Sequence, residues 1–148
     1  MTHPASKTGQ CLCGAVTFTA TNVNTNLNAC HCGMCRRWSG GPFMALSCGR
    51  EVDFDGEENI AVFDSSEWAE RGFCKQCGSH LFYRLKDTAE MEIPVGLFEG
   101  NTDDLKFELQ VFIDHKPDYY SFANQTETMT ELKSTFYSLR LLRHRVTV

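Results

Sequence analysis

The chain has 148 residues, a length typical of one domain, and we predict a single domain over residues 1–148. Hydrophobic residues make up 42% and charged residues 22% of the sequence, which excludes an intrinsically disordered chain and a fibrous repeat. The net charge of -5 argues against a nucleic-acid partner, and the lack of an apolar run of ~18 residues or of a signal-peptide core predicts no membrane partner and a cytoplasmic location.

Short β-strands account for most of the predicted secondary structure. The first begins at Val16, where apolar and polar residues alternate as they do in a half-buried strand. The strand candidates are residues 16–19, 43–46, 60–63, 81–85, 91–97 and 111–113. Turn signals such as Gly40-Gly41-Pro42 and Asp55-Gly56 separate them. The pattern predicts a mainly β fold, either a sandwich or an open barrel.

A helix is predicted near the C-terminal end, at about residues 126–145, with Thr126 or Thr128 as its N-cap. The apolar residues that recur at helical spacing are Met129, Leu132, Phe136 and Leu139. Two roles are open for this extension: it covers the edge of the core, or it forms a contact in a homodimer.

The cysteine content favours metal binding. The chain has eight cysteines and no export signal, and disulfide frameworks are rare in the reducing cytosol. Seven of the eight fall into three clusters, which are Cys11 and Cys13; Cys30, Cys32 and Cys35; and Cys74 and Cys77. A two-residue gap, such as that between Cys74 and Cys77, lets both sulfurs of a turn bind one ion at ~2.3 Å. Because seven cysteines lie in these three clusters, we predict two zinc ions per chain.

One zinc site is predicted to be structural, because a closed site needs four ligands. Cys74 and Cys77 supply two of these ligands, and the simplest assignment of the other two is Cys11 and Cys13. Such a site would tie the N-terminal strand to a hairpin about sixty residues later. The alternatives are a redox-active dithiol at Cys74 and Cys77, or cysteines that only pack in the core.

The cluster of Cys30, Cys32 and Cys35 predicts a second zinc with an open coordination position, because three protein ligands leave the fourth for water or substrate. The alternative is a second structural site closed by Cys48, His31 or His80. A buried Cys48 that behaves as a small apolar residue would not contribute. His31 stands between two of the predicted ligands and cannot easily bind the same ion.

Three segments, residues 10–16, 30–40 and 73–79, resemble the signature of the glutathione-dependent formaldehyde-activating enzyme family, which includes the centromere protein V group. The resemblance covers about residues 9–122. It implies a zinc-containing β-sandwich of two antiparallel sheets and the same division of the cysteines into a structural and a reactive site. Members of the family are described as carbon-sulfur lyases, and the proposed reaction is the reversible addition of glutathione to formaldehyde.

We therefore predict an enzyme in which Cys30, Cys32 and Cys35 hold the catalytic zinc and a small thiol such as glutathione binds at its open position. Arg36 and Arg37 follow directly and offer fork-shaped donors to a carboxylate, such as those of glutathione.

The sequence also departs from the family pattern. Members often carry histidine where Gln110 stands and tryptophan where Tyr119 or Tyr120 stands. If those residues shape the substrate pocket, two alternatives are open: a different thiol substrate, or none. Two other functions remain open: an interaction module with two structural zinc ions, and a thiol sensor that releases zinc on oxidation.

Overall fold

The computed structural model describes residues 5–135. They form two compact units, one made of the chain up to Leu27 together with Met44–Lys106, the other of Asn28–Phe43 together with the chain from Phe107 onward. The secondary structure is mainly β, with a helix at the C-terminal side. Among the helices of this part of the chain, none is long and apolar enough to cross a bilayer. The assignment of the whole chain to a single domain stays a prediction.

The first unit contains a three-stranded antiparallel sheet with the order β1–β2–β5. Its strands are β1 (Ala5–Gln10), β2 (Thr17–Val23) and β5 (Val52–Asp55). In β2, buried Phe18 and Ala20 alternate with exposed polar residues, which is the period-two pattern of a strand with one face in the core. The connection between β1 and β2 carries Cys11 and Cys13.

A second antiparallel set of strands has the order β4–β9–β8–β7–β6 and, apart from Phe43, belongs to the same unit. Its strands are β4 (Phe43–Ser47), β6 (Ile60–Phe63), β7 (Ala69–Cys74), β8 (His80–Leu85) and β9 (Met91–Pro94). Strands β7 and β8 form a hairpin. Cys74 ends β7, and Cys77 lies in the turn that follows.

Aromatic rings join these two sheets face to face. The ring of Phe54 in β5 lies 5.6 Å from that of Phe82 in β8 and 5.9 Å from that of Phe18 in β2. Gly72 in β7 permits this packing, because a Cβ atom there would lie 2.3 Å from the ring of Phe82. The rings of Phe18 and Phe82 are buried, and full burial of such a ring contributes roughly 1.5–3 kcal/mol through the hydrophobic effect. The prediction of a mainly β sandwich is therefore confirmed.

The second unit contains three strands in the order β11–β10–β3 and a short helix. The elements are β3 (Asn26–Cys30, of which Asn28 onward belongs to this unit), α1 (Gly33–Ser39), β10 (Lys106–Val111, from Phe107) and β11 (Glu127–Met129). Strand β11 pairs with β10 in parallel, with Gln110 opposite Thr128, so this pair departs from the antiparallel arrangement of the other described pairs. Helix α1 was not among the predicted elements; the sequence indicated only the turn at Gly40-Gly41-Pro42 that follows it.

The C-terminal helix begins later than the sequence predicted. Residues 127–129 pair with β10 instead of joining the helix, which begins at Glu131. The side chain of Thr130 accepts the backbone N–H three residues later at 3.4 Å. Thr130 is therefore the N-cap, and the prediction of Thr126 or Thr128 was wrong. The remainder of the predicted helix, from residue 136, lies outside the described residues.

Candidate metal centres

The first cysteine group joins the β1–β2 connection to the β7–β8 hairpin. The Sγ atoms of Cys11, Cys13, Cys74 and Cys77 all lie within 4.8 Å of one another. Sγ of Cys13 is 3.6 Å from that of Cys11 and 3.8 Å from that of Cys74. Zinc–sulfur bonds of ~2.3 Å at tetrahedral angles place two sulfurs about 3.8 Å apart. The four thiols therefore fit a single zinc ion.

The turns around this group direct hydrogen-bond donors at its sulfurs. The backbone N–H of Val16 donates to Sγ of Cys11 at 3.3 Å. Gly78 adopts a φ of +78°, a left-handed conformation that suits glycine, and Ser79 follows it. Hydrogen bonds from the side chain and backbone of Ser79 lower the pKa of Cys77 to about 5. These donors favour the thiolate form, which is the form that zinc binds.

The second cysteine group lies in the second unit, at the end of β3 and the start of α1. The Sγ atoms of Cys30, Cys32 and Cys35 lie within 4.8 Å of one another. Cys32 is the N-cap of α1, and its Sγ accepts the backbone N–H of Cys35 at 3.3 Å. Hydrogen bonds with Cys30 and Cys35 lower the pKa of Cys32, whereas those with Cys32 and Cys35 raise that of Cys30. The three thiols thus act as one coupled group.

No fourth ligand atom from a cysteine, histidine or carboxylate joins this group within residues 5–135, when all atoms must lie within 4.8 Å of one another. Cys48 is 0% exposed, and its Sγ donates to the carbonyl of Leu46 at 3.4 Å. Burial raises the pKa of Cys48 to about 12, as expected for a cysteine inside the core. A tetrahedral ion held by the three thiols would therefore keep one position for an external ligand.

His31 lies between two of these cysteines in sequence, but its side chain takes part in other contacts. It is 0% exposed, and its two ring nitrogens lie 2.8 Å from Tyr120 Oη and 2.8 Å from Gln110 Oε1. Burial lowers the pKa of His31, which favours the neutral imidazole. The sequence had indicated Gln110 and Tyr120 only as departures from the family pattern; the structure brings both to one buried histidine.

The two arginines of α1 differ in their surroundings. Nε of Arg36 donates to the carbonyl of His31 at 2.9 Å, which fixes the backbone between Cys30 and Cys32. Arg37 is exposed on the helix surface. That Arg36 and Arg37 bind a carboxylate of the substrate stays a prediction.

A third cluster, formed by Asp114, His115 and Glu131, was not predicted from the sequence. All three residues are exposed. Asp114 Oδ1 accepts the backbone N–H of Glu131 at 2.9 Å, and the Glu131 carboxylate lies 2.8 Å from His115 Nε2. These contacts fasten the start of the C-terminal helix, so the cluster has a structural explanation.

Comparison with known proteins gives consistent results. A model of the glutathione-dependent formaldehyde-activating enzyme family matches residues 6–115. A Schizosaccharomyces pombe protein named as an uncharacterized lyase is 41% identical over 123 residues, which cover 82% of this chain and 89% of that protein. A Sordaria macrospora protein named "Putative glutathione-dependent formaldehyde-activating enzyme" is 32% identical over 77 residues, which cover 49% of this chain and 32% of that protein.

A crystal structure of a Rhodobacter sphaeroides protein is similar in fold, with a TM-score of 0.55 and 25% sequence identity. The match covers 64% of this chain and 89% of that one. The family model covers well over half of the sequence, including all seven clustered cysteines. The chain therefore belongs to the glutathione-dependent formaldehyde-activating enzyme family.

Proposed function

We propose that the chain is a zinc-dependent carbon-sulfur lyase that adds a small thiol such as glutathione to an aldehyde, and that it catalyses the reverse cleavage. The observation that carries this proposal is the group of Cys30, Cys32 and Cys35, which supplies three Sγ atoms and no fourth ligand from residues 5–135. Membership of the family supports glutathione and formaldehyde as the reactants. A reducing cytoplasm would suit thiolate sites of this kind.

Zinc bound by these three thiols would supply a Lewis acid that lowers the pKa of an incoming thiol. Three thiolates carry one more negative charge than Zn²⁺ neutralises, so the site favours a nucleophilic sulfur over the activation of water. In the addition, the S–H bond and the carbonyl π bond are lost, and a C–S and an O–H bond form. The reverse reaction releases the thiol and the aldehyde.

The protein would contribute positioning and charge. The bonds of the His31 side chain, together with the bond from Arg36 to its carbonyl, hold the backbone between Cys30 and Cys32. The terminal nitrogens of Arg36 and the exposed guanidinium of Arg37 are the proposed contacts for a carboxylate of the thiol substrate.

The other group, formed by Cys11, Cys13, Cys74 and Cys77, is proposed to hold a structural zinc. Its sulfur spacing supports a closed tetrahedral site. The ion would link the connection before β2 to the hairpin of β7 and β8 and would stabilise the sandwich of the first unit.

Cobalt substitution tests the open position. Co²⁺ in a thiolate site has charge-transfer and visible bands that respond to each added sulfur ligand. Titration of the Co²⁺-loaded protein with glutathione should change these bands saturably. A separate assay should measure the turnover of glutathione and formaldehyde. The Cys48→Ser variant is the matched control and should respond as the native protein does. A native spectrum that ignores every thiol, with a response gained only in Cys48→Ser, would indicate a closed site and favour an interaction module.

A further inference from the structure

Ser39 carries a buried hydroxyl group that the described structure does not use. It is the last residue of α1, and its Oγ atom is buried without a hydrogen-bond partner among the described residues. A buried hydroxyl without a partner is unfavourable, because it has lost its bonds to water. Such groups are uncommon in native proteins, and functional sites are one of the places where they persist.

Ser39 shares one face of the helix with two of the proposed zinc ligands. Cys32, Cys35 and Ser39 are spaced by three and four residues, which is the spacing of side chains that lie above one another on a helix. Side chains on a helix lean toward its N-terminus, so Ser39 leans toward the turn that carries Cys35. Neighbours of this kind have Cβ atoms ~5–6 Å apart, so the side chain of Ser39 lies beside that of Cys35.

Within residues 5–135, the hydroxyl of Ser39 caps neither end of α1. The C-terminal end of α1 is capped by Gly40, whose φ is +80° and whose N–H donates to the carbonyl of Arg36 at 2.8 Å. The N-terminal end is capped by Cys32. A serine in a helix often bonds the carbonyl of the preceding turn, but Oγ of Ser39 does not.

We propose that the Ser39 hydroxyl donates a hydrogen bond to the aldehyde oxygen during the reaction of the Cys30, Cys32 and Cys35 site, an inference that rests on the function proposed above. As a sulfur lone pair forms the C–S bond, the π electrons of the carbonyl move to oxygen. Ser39 stabilises the charge that develops there. The proton that the thiol loses ends on this oxygen, and Ser39 keeps its own. A fixed donor at this position stabilises the transition state more than the ground state.

Two serine-to-alanine variants with opposite expected results test this role. Ser39→Ala should lower kcat for the addition of glutathione to formaldehyde by about 100-fold, the effect typical of losing one such donor. Its affinity for glutathione, read from the Co²⁺ spectrum, should not change, and its melting temperature should stay equal or rise, because an unpaired hydroxyl is removed. Ser47→Ala loses the 2.6 Å bond from Ser47 Oγ to Glu92 and should melt earlier while kcat is retained. Ser39→Thr keeps a hydroxyl and should restore most of the rate.

The outcomes separate the two proposals. Equal kcat in native protein and Ser39→Ala overturns the role of Ser39 but leaves the proposed function standing. A Ser39→Ala variant that is slow, melts earlier and is not rescued by Ser39→Thr assigns the residue a structural role and also overturns the inference. A native protein that neither binds glutathione in the Co²⁺ assay nor turns over formaldehyde contradicts the proposed function, and the inference fails with it.

Discussion

Nε2 of His31 lies 2.8 Å from Oε1 of Gln110, and this contact occupies one nitrogen of a fully buried ring. The amide of Gln110 is held on its other side by Thr126, whose Oγ1 lies 2.9 Å from Nε2 of Gln110. Nδ1 of His31 lies 2.8 Å from the hydroxyl oxygen of Tyr120. Both ring nitrogens of this buried side chain are satisfied.

Two neighbouring tyrosines test the importance of this arrangement. Tyr120→Phe leaves Nδ1 of buried His31 without its hydrogen-bond partner, which should lower the free energy of unfolding by about 1–3 kcal/mol. Tyr119 is 77% exposed, and Tyr119→Phe should change stability by less than about 0.5 kcal/mol. Urea denaturation of the zinc-loaded proteins measures both. Equal effects of the two substitutions would show that the hydroxyl bond to His31 does not stabilise the native state.

The half-buried carboxyl group of Glu92 should make stability depend on pH. Burial raises its pKa from 4.5 to about 7, although the hydrogen bond from Ser47 acts in the opposite direction. The native state therefore keeps a proton that the unfolded chain has already lost at intermediate pH. The stability contributed by this proton is fully present below the unfolded pKa of 4.5 and is lost as pH rises through about 7, a change of roughly 3 kcal/mol.

Glu92→Gln, which is neutral throughout, should therefore be more stable than the native protein at pH 8 and should flatten the dependence between pH 5 and 8. Chemical denaturation at several pH values measures this, and Glu99→Gln, which changes an exposed carboxylate, serves as the control. An unchanged slope in Glu92→Gln would mean that this carboxyl group titrates normally in the native state.

Two glycines with a positive φ separate backbone strain from steric exclusion. Gly56 has a φ of +82°, and a Cβ atom there would lie 2.0 Å from the carbonyl oxygen of Ala15. Gly100 has a φ of +85°, with nothing within 4 Å of the Cβ position. Gly100→Ala should cost roughly 1–2 kcal/mol of unfolding free energy from strain alone. Gly56→Ala should cost at least ~3 kcal/mol, because the backbone must also move. Similar values from denaturation curves would contradict the close approach of Gly56 to Ala15.

The sequence predicted the strands whose apolar residues alternate or form short runs, but it missed others for identifiable reasons. Strand β7 contains Glu70 and Arg71, and charged residues usually indicate exposed chain, yet Arg71 is only 3% exposed and its guanidinium lies 5.0 Å from the ring centre of Tyr83. Helix α1 has seven residues, too few to show a helical period, and it depends on the cap formed by Cys32. Such tertiary compensation is not visible in local sequence.

The candidate site likewise has features that the sequence shows and features that it does not. The spacing within each cysteine cluster is local information, so the clusters could be recognised from the sequence. The approach of Cys13 to Cys74, with Sγ atoms 3.8 Å apart across sixty-one positions, depends on the fold and could be inferred only by counting ligands and by resemblance. The bonds of His31, and the Ser39 hydroxyl that has no partner within residues 5–135, required coordinates, because neither follows from residue type or spacing.

The two cysteine groups should respond differently to the loss of one thiol. Cys74 is 0% exposed and belongs to the group that joins two distant parts of the first unit. A structural zinc supplies on the order of 10 kcal/mol of folding free energy in small zinc domains, so Cys74→Ser should unfold or aggregate. Cys32→Ser should remain soluble and folded with one zinc fewer than the two expected for native protein, because the proposed catalytic site adds less to stability. Circular dichroism and metal analysis measure both properties, and Cys48→Ser should keep the full zinc content. Unfolding of Cys32→Ser as well would assign a structural role to the Cys30 group and would weaken the proposed enzyme function.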